Sequence, residues 1–383
     1  MVDGETLMRT PTIGTTAIGT APVIDRNIFD ELFVLEIANN HWGSLERGLR
    51  IIREFATVAR YHNMRCAMKL QFRDVDHFIH KDHRDRQDIR YIKKTVDTKM
   101  SDEDYGTLVE ETRRNNCIRM STPFDERSVD LCVELGIDII KIASSDITDW
   151  TLLEKIATTR KPVIASTGGA SVKDMDAMVT FFGNRSIPIA INHCVSLYPS
   201  DAEELELNQI DFLKKRYPTT TIGWSGHERS TDIRDTMLTA YAKGARTFER
   251  HIDIVTPDKT LSPYCSTPED VSDWFAAFSR AKALCGGSAE SRRTLPKKEI
   301  EYLDALVRGV YAKRDLPAGA RITRDDYYLA VPLQKGQLSS RELIDNDLLV
   351  QPVKADAPIR IEQFDNPYAR TPELRKLIEG RGL

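Results

Sequence analysis

The chain has 383 residues, which by the usual domain sizes is enough for one large domain and one small one. Its 54 basic and 58 acidic side chains give a formal net charge of -4, which argues against a general affinity for nucleic acid. No apolar run of the sequence approaches the roughly 20 residues that a membrane-spanning helix requires. The six cysteines show no Cys-x-x-Cys spacing, and most lie in apolar runs, which favours reduced thiols in a cytoplasmic protein.

The stretch at residues 137–146 is the clearest single signal of the fold. It reads Ile-Asp-Ile-Ile-Lys-Ile-Ala-Ser-Ser-Asp, a short apolar run that ends in polar groups. Such a run is typical of a strand that is buried on both faces in a parallel sheet surrounded by helices. Gly136 ends the helical segment before it, and Asp149 begins the next one. Lys141 and Ser144 are therefore expected near the C-terminal end of this strand.

Strand-like and helix-like segments alternate from Leu32 onward. Eight segments predict strands, the fourth being residues 137–146 and the others being residues 32–37, 65–71, 117–121, 161–166, 187–193, 220–225 and 245–252. Eight strands alternating with helices over about 260 residues predict a TIM-type (β/α)8 barrel, which we assign to residues 29–287. A charged insertion at residues 77–100 is most simply a solvated surface.

The two ends of the chain differ from the barrel in composition. Residues 1–28 are expected to be a flexible N-terminal extension, because they are rich in Thr and Gly and lack the hydrophobic segment of a signal peptide. Residues 288–305 are polar and basic and are expected to be a linker. Short strand-like segments and Gly-containing turns then predict a small, mostly β domain at residues 306–366, followed by a C-terminal tail at residues 367–383.

Polar side chains recur where the predicted barrel strands end, namely Glu36, Lys69, Lys141, Ser144, Ser166, Ser196, Tyr198, Ser225, His227 and His251. In a barrel these ends meet at one mouth, which is where such enzymes carry out their chemistry. Lysines supply positive charge, while hydroxyls and the backbone of the Gly168-Gly169 turn supply directed donors, and this combination suits a phosphate. Any one of these residues alone is more simply a solvated strand end, but their joint recurrence favours a bound anion.

The histidines at the ends of the last two strands predict a metal site. His227 and His251 lie on neighbouring strands, about 4.8 Å apart, so both imidazoles can reach one divalent ion. Such an ion would keep open positions for a substrate. His41 and His193 are more simply explained by a loop contact and by packing. Glu36 is suited to bind sugar hydroxyls or to move a proton, and a salt bridge to a nearby lysine is the alternative.

These residues lie in motifs that resemble the sialic acid synthase family, and the resemblance runs from about Phe33 to about Pro358. The motifs are Glu36-Ile37-Ala38-Asn39-Asn40-His41-Trp42-Gly43, Lys69-Leu70-Gln71, Ser121-Thr122-Pro123-Phe124-Asp125, Lys141-Ile142-Ala143-Ser144-Ser145-Asp146, Ser166-Thr167-Gly168-Gly169, His193-Cys194-Val195-Ser196-Leu197-Tyr198-Pro199, Ser225-Gly226-His227 and Glu249-Arg250-His251. The small domain resembles the antifreeze-like (SAF) module in Arg308-Gly309-Val310-Tyr311-Ala312 and Asp315-Leu316-Pro317-Ala318-Gly319.

The resemblance implies a transferase that condenses phosphoenolpyruvate with an open-chain aldose such as N-acetylmannosamine, giving a nonulosonic acid and phosphate. It implies Mn²⁺ or Mg²⁺ held by His227 and His251, and a domain-swapped homodimer in which Arg308 reaches the barrel of the other subunit. The residues that it implies for catalysis are Glu36, Lys69, Lys141, His227 and His251. Those that it implies for substrate binding are Lys69, Gln71, Lys141, Ser144, Ser166, Ser196, Tyr198, Ser225 and Arg308.

Four positions depart from the family pattern. Gly226 replaces the Asp of a Ser-Asp-His motif, Ser196 replaces an Asn, Tyr264 replaces the Asp of a Gly-Pro-Asp motif, and Gly309 replaces the Ser of an Arg-Ser pair. The residues for phosphate and metal are intact, whereas the sugar-facing residues are altered. The expected reaction is therefore the synthase reaction, with an acceptor that need not be N-acetylmannosamine.

Two other functions remain open from the sequence. A Schiff-base aldolase or lyase would use Lys141 or Lys69 as its nucleophile, provided that burial lowers the pKa of that lysine. A barrel that has lost its sugar site would instead be a catalytically inactive sugar-binding or scaffold protein, and the altered Gly226 and Tyr264 positions leave room for this reading.

Overall fold

The computed structural model describes residues 27–288 and 291–383. These form two compact units, with the boundary between Gly286 and Gly287. The predicted N-terminal extension at residues 1–28 lies outside the described residues, except for Asn27 and Ile28. Within the described ranges, no helix combines the length and the apolar character that a membrane crossing needs.

The first unit contains a closed barrel of eight parallel strands, each paired with its neighbours in the chain, and β1 closes the ring against β8. The strands are β1 (Leu32–Glu36), β2 (Cys66–Phe72), β3 (Ile118–Pro123), β4 (Ile139–Ile142), β5 (Val163–Ser166), β6 (Ile189–Cys194), β7 (Thr221–Gly226) and β8 (Thr247–His251). The prediction of a TIM-type barrel is confirmed. Strand β4 is shorter than the predicted segment at residues 137–146, because Ser144–Asp146 forms a 3-10 turn.

Helices connect the strands and cover the barrel. They are α1 (Leu45–Tyr61), α2 (Val75–Phe78), α3 (Arg90–Asp97), α4 (Asp102–Arg114), α5 (Glu126–Glu134), α6 (Trp150–Thr158), α7 (Val172–Gly183), α8 (Asn208–Arg216), α9 (Ile233–Lys243) and α10 (Pro268–Cys285). Ser44, Ser101 and Asp125 cap α1, α4 and α5, since each side chain accepts a hydrogen bond from a backbone N–H of the first turn. Such caps help to fix where each helix leaves its strand.

The alternation of side chains along the strands separates an apolar floor from a polar mouth. Because neighbouring side chains of a strand point to opposite faces, residues two apart share the barrel interior. On β1, Leu32 and Val34 are buried in an interior cluster that also contains Ile139 of β4, and the next inward position on β1 is Glu36. On β4, the position two residues after Ile139 is Lys141. The interior thus changes from aliphatic to charged towards the C-terminal ends.

The second unit begins with α11 (Lys297–Asp304), followed by β9 (Gly309–Ala312), β10 (Arg321–Ile322), β11 (Tyr327–Ala330) and β12 (Asp347–Leu348). Strand β9 pairs antiparallel with β11, and β10 pairs antiparallel with β12. Its own hydrophobic core includes Val310, Leu338 and Phe364. Residues 367–383, predicted as a tail, form α12 (Pro367–Arg370) and α13 (Pro372–Glu379), and Ile378 of α13 is buried in this core.

Candidate active site

A cavity of about 880 Å³ opens at the C-terminal ends of the barrel strands. Eleven of the twelve residues that the sequence singled out line it, namely Glu36, Lys69, Gln71, Lys141, Ser144, Ser166, Ser196, Tyr198, Ser225, His227 and His251. The twelfth, Arg308, lies exposed in the second unit, just before β9, and lines a different cavity of about 660 Å³ there. The geometry of the barrel therefore gathers residues that are spread over more than 200 positions of the chain.

Lys69 lies at the centre of the cavity floor, between two carboxylates. Its Nζ forms an ion pair with Glu36 and another with Glu249 at 2.7 Å, and all three side chains are buried. Burial alone would lower the pKa of Lys69, but the charges of the two carboxylates outweigh it and raise the pKa above its ordinary value. Burial raises the pKa of Glu36, whereas Lys141 and Lys69 overcome the effect of burial on Glu249 and lower its pKa.

Lys141 is the less compensated of the two buried lysines. Its Nζ donates to the hydroxyl of Ser166 at 2.6 Å and lies 4.0 Å from the Glu249 carboxylate. Burial lowers the pKa of Lys141 below its ordinary value despite the negative charge of Glu249. Since both lysines face the same carboxylate, their amines lie side by side and can bind one anion together.

Hydroxyl groups and a glycine turn line the same cavity as the amine of Lys141. Ser144 Oγ accepts a hydrogen bond from the backbone N–H of Gly168 at 3.0 Å. A Cβ at position 168 would come within 2.2 Å of the Ser196 hydroxyl and 2.9 Å of the Ser144 hydroxyl. A side chain at this position would collide with both hydroxyls, so glycine allows them to lie close to the turn. Buried Ser225 completes the set of donors from β7.

The rings of His227 and His251 lie beside each other, with their centroids 5.4 Å apart. Nδ1 of His227 donates to the carbonyl of Val195 at 2.7 Å, which leaves Nε2 of that ring free to accept. Burial lowers the pKa of His251 well below its ordinary value, so this ring is neutral near pH 7. Two neighbouring imidazole rings at the mouth of the cavity fit a divalent metal. Among residues 27–288 and 291–383, no group of three or more His, Cys, Asp or Glu is placed to hold an ion.

Aromatic rings line the mouth next to the two histidines. The ring of Tyr198 lies 4.1 Å from that of His227, and Tyr264 lies 5.3 Å from His251, centroid to centroid. Burial raises the pKa of the phenol groups of both Tyr198 and Tyr264 above their ordinary values. Tyr264, where the family pattern has an Asp, therefore presents a flat ring and a neutral hydroxyl to the cavity in place of a carboxylate.

The departure at Gly226 has a steric reason. A Cβ on Gly226 would lie 2.2 Å from Oε2 of Glu228 and 2.8 Å from Nε1 of Trp224. The Glu228 carboxylate is buried and lies 2.5 Å from Nη1 of Arg250, so it is not free to move aside. Glycine at position 226 thus makes room for this buried ion pair.

Gly226→Ala is expected to destabilise the barrel by about 1–3 kcal/mol, because the added methyl group overpacks a rigid buried site. The free energy of unfolding in urea is the measurement. Gly183→Ala is the matched control, since Gly183 ends α7 and a Cβ there would meet no atom within 4 Å. This control is expected to stabilise by about 0.5–1 kcal/mol, and equal effects of the two substitutions would contradict the steric argument.

His41 and His193 make the loop contact and the packing contact that the sequence predicted for them. Nδ1 of His41 accepts from the N–H of Gly43 at 3.0 Å and so shapes the loop after β1. Nε2 of His193 lies 2.8 Å from the carbonyl of Leu205, and its ring packs against Trp224.

Several cavity residues were missed as site residues. Glu249 stands two positions before His251 on β8, so strand alternation was the signal that places both side chains inward. The insertion at residues 77–100 was expected to be a solvated surface; most of it is exposed, but part of α3 also lines the cavity. Arg90, Tyr91 and Lys94 line the cavity together with Arg73, which follows β2. No periodicity in the sequence distinguishes these residues from their charged neighbours.

Comparison with known proteins agrees with this architecture. Residues 60–286 match the NeuB family, and residues 307–365 match the SAF domain. The chain belongs to the NeuB family. One similar crystal structure is that of a spore coat polysaccharide biosynthesis protein E from Chromobacterium violaceum, whose sequence is 38% identical to this chain. The match covers 88% of this chain and 100% of that one, with a TM-score of 0.84.

Relatives of this NeuB-family chain include proteins with named products. N-acetylneuraminate-9-phosphate synthase of Drosophila melanogaster is 28% identical over 85% of this chain and 95% of the fly protein. N,N'-diacetyllegionaminic acid synthase of Campylobacter jejuni is 26% identical over 75% of this chain and 86% of the bacterial protein. The resemblance drawn from the motifs is therefore confirmed at the level of the family.

Proposed function

We propose that this protein is a sugar-acid synthase that condenses phosphoenolpyruvate with an open-chain aldose and releases inorganic phosphate by C–O cleavage. The main support is the pair of buried amines, Lys69 and Lys141, that lie beside one carboxylate in a cavity that several serine hydroxyls also line. Relatives named as synthases of nonulosonic acids support the same class of product. The protein is then a transferase of the type that forms a C–C bond.

In the proposed reaction, C3 of phosphoenolpyruvate attacks the aldehyde carbon of the open-chain sugar, and positive charge develops at C2. The aldehyde oxygen gains a proton and becomes a hydroxyl. Water adds to C2 and loses a proton, and phosphate then leaves with the bridging oxygen, so that a 2-keto acid remains. Lys69 and Lys141 offset the charge of the phosphate and carboxylate groups throughout, and because they are already in place this electrostatic stabilisation requires little reorganisation.

The hydroxyl-bearing residues orient the enol ester against those amines. Ser144, Ser166 and Ser225 supply donors to phosphate oxygens, and Gln71 and Ser196 line the same cavity. Glu36 and Tyr198 face the sugar in this proposal. We assign to the carboxyl group of Glu36, whose pKa burial raises, the exchange of a proton with the aldehyde oxygen.

His227 and His251 would hold a divalent cation, Mn²⁺ or Mg²⁺, with water and substrate taking the other positions. Such an ion supplies Lewis-acid polarisation of a carbonyl oxygen when it is bound. The hydrogen bond from His227 to the carbonyl of Val195 fixes which ring nitrogen is available, as is usual for metal-binding imidazoles.

Arg308 would complete the site from the second unit of another subunit. Its guanidinium is exposed and lies before β9, in a part of the chain that includes the cationic residues Lys313 and Arg324. We propose a homodimer in which this side chain contributes to the barrel of the partner, which agrees with the exposure of Arg308 in the single chain.

The test of the reaction is the fate of the bridging oxygen of phosphoenolpyruvate. The full chain is incubated with Mn²⁺, a panel of mannosamine-type, bacillosamine-derived and neutral aldoses, and phosphoenolpyruvate labelled with ¹⁸O at the C–O–P bridge. C–O cleavage sends the label into inorganic phosphate, which ³¹P NMR resolves, whereas P–O cleavage leaves it in the organic product. Label that stays in the product, or no phosphate release with any aldose, would overturn the proposal.

Lys141→Met is expected to raise the KM for phosphoenolpyruvate by about 10-fold or more, because a charge-assisted hydrogen bond to the anion is lost. Steady-state phosphate release measures this effect. Lys155→Met is the matched control, since Lys155 pairs with Asp130 at 2.6 Å on α6, outside the cavity. An unchanged KM in Lys141→Met would contradict the assignment.

A Schiff-base aldolase is the second candidate, and the lowered pKa of Lys141 favours it. Lys69 is a poorer candidate for the nucleophile, because its two carboxylate partners raise its pKa. Borohydride trapping of a substrate adduct on Lys141, with activity that survives removal of divalent metal by a chelator, would support the aldolase over the synthase.

A further inference from the structure

Three cations on one side of the cavity mouth are not used by the proposed reaction. They are Arg73, which follows β2, and Arg90 and Lys94 of α3, and we call them the mouth cations. Altogether five cationic side chains but three carboxylates line the cavity. Since Lys69 and Lys141 already face Glu36 and Glu249 on the floor, the excess of positive charge lies at the mouth.

The mouth cations have no carboxylate partner, whereas Lys93 and Lys99 of the neighbouring segment do. Lys93, next to Lys94 in the chain, pairs with Asp97 at 2.7 Å, and Lys99 pairs with Asp76 at 2.7 Å. Within residues 27–288 and 291–383, no ion pair is formed by Arg73, Arg90 or Lys94. Among the described residues, Lys81 and Arg84 form no ion pair either, so the mouth cations are distinguished by lining the cavity while they remain unpaired.

Arg73 is held rigidly without being neutralised. Its guanidinium lies 3.7 Å from the ring centroid of Phe124 and donates to the side-chain amide oxygen of Gln71 at 2.9 Å. Its Nε is buried and has no hydrogen-bond partner in the part of the chain that the structure describes. A planar guanidinium that stacks on an aromatic ring and keeps a free donor is suited to bind an oxyanion.

Lys94 is half-buried and Arg90 is exposed where they line the cavity. Burial lowers the pKa of Lys94, whose amine lies 5.7 Å from the Trp42 ring. Asp253, a nearby carboxylate, is taken by Arg47 at 2.6 Å. Asp146 is the acidic side chain on the mouth side of the cavity, and its Oδ1 accepts from the Ser145 hydroxyl at 2.7 Å.

The mouth cations lie over a different sector of the barrel from the hydroxyl donors. Arg73 and Trp42 follow β2 and β1, whereas Lys141 and Ser166 belong to β4 and β5. In a closed ring of eight strands in chain order, β5 lies opposite β1. A phosphate held by Lys141 and Ser166 on that side of the ring therefore leaves the mouth cations for a second anion.

We infer that the acceptor sugar carries a phosphate monoester, which the mouth cations bind at the end of the sugar remote from its aldehyde. This inference rests on the proposed function, because it takes the hydroxyl-lined sector as the site of phosphoenolpyruvate. A phosphate monoester carries nearly two negative charges at pH 7 and three acceptor oxygens, which matches three unpaired cations better than a single carboxylate does. The acceptor class is thus an aldose phosphate, and Arg73, Arg90 and Lys94 are specificity-determining residues.

Direct binding tests the inference without turnover. The full chain is titrated calorimetrically with N-acetylmannosamine 6-phosphate, with N-acetylmannosamine and with glucuronate. The phosphorylated sugar is expected to bind at least about 10-fold more tightly than the neutral one, as charge-assisted hydrogen bonds imply. Arg90→Gln combined with Lys94→Gln is expected to remove this preference, whereas Lys93→Gln, the neighbouring paired lysine, is expected to keep it.

The contrary outcomes are distinct. Equal affinity for the phosphorylated and neutral sugars, or tighter binding of glucuronate, would overturn the assignment of a phosphate. An increase in the KM for phosphoenolpyruvate in the Arg90→Gln and Lys94→Gln double variant, with acceptor affinity unchanged, would overturn it as well. Absence of phosphate release with every aldose would count against the condensation itself and would leave the binding result standing.

Discussion

His251→Ala is expected to abolish turnover and to lower the affinity for Mn²⁺ by at least about 100-fold, since losing a ligand costs no less than losing a group that merely orients one. The ring of His251 lies 5.4 Å from that of His227, and its lowered pKa keeps it neutral at the pH where a metal would bind. Free Mn²⁺ measured by electron paramagnetic resonance during titration of the full chain reports binding separately from phosphate release.

The control for this substitution is His62→Ala. His62 follows α1 on the outside of the barrel, and its Nε2 lies 2.8 Å from the hydroxyl of Ser272. Its loss is expected to leave Mn²⁺ affinity and turnover near those of the unchanged protein. If His251→Ala bound Mn²⁺ as tightly as His62→Ala does, the metal would have to be placed elsewhere.

The barrel was predictable because its signals are local. The apolar residues of a run such as Ile139–Ile142 predict that the strand is buried, and the polar residues that follow it indicate where the strand ends at the mouth of the barrel. Serine and aspartate caps such as Ser44 and Asp125 locate the starts of helices in the same way. The rule that the C-terminal ends of barrel strands meet at one mouth then assembled the candidate site from residues far apart in the chain.

The mouth cations were not predictable for the opposite reason. Lys93 and Lys94 are identical in type and adjacent in sequence, yet one pairs with Asp97 and the other lines the cavity. What separates them is the direction in which α3 packs, and this depends on contacts with loops from other strands, such as the one that carries Trp42. Charge composition alone therefore assigned the whole insertion to the solvent.

The buried pair of Glu228 and Arg250 was hidden for a similar reason. Each residue is adjacent in sequence to a histidine of the candidate metal site. The sequence predicted a role for the histidine but none for its neighbour. Both side chains have 0% exposure, and Arg250 also donates to the hydroxyl of Ser266 at 2.9 Å. The pair ties the end of β7 to β8 and so fixes the spacing of His227 and His251.

Arg250→Leu is expected to destabilise the barrel by about 3–5 kcal/mol, because it leaves the carboxylate of Glu228 buried without a cation. Tryptophan fluorescence during urea unfolding is a suitable measurement, since all four tryptophans, Trp42, Trp150, Trp224 and Trp274, belong to the barrel unit. The signal therefore reports the barrel rather than the small domain.

The double variant Arg250→Leu with Glu228→Leu separates the cost of an unpaired charge from the loss of a favourable contact. If desolvation dominates, removing both charges is expected to restore most of the stability that the single substitution loses, because apolar side chains need no partner. Arg113→Leu breaks an exposed pair with Glu110 and is expected to have a much smaller effect than Arg250→Leu. A double variant as unstable as Arg250→Leu would instead mean that the ion pair itself stabilises the junction of β7 and β8.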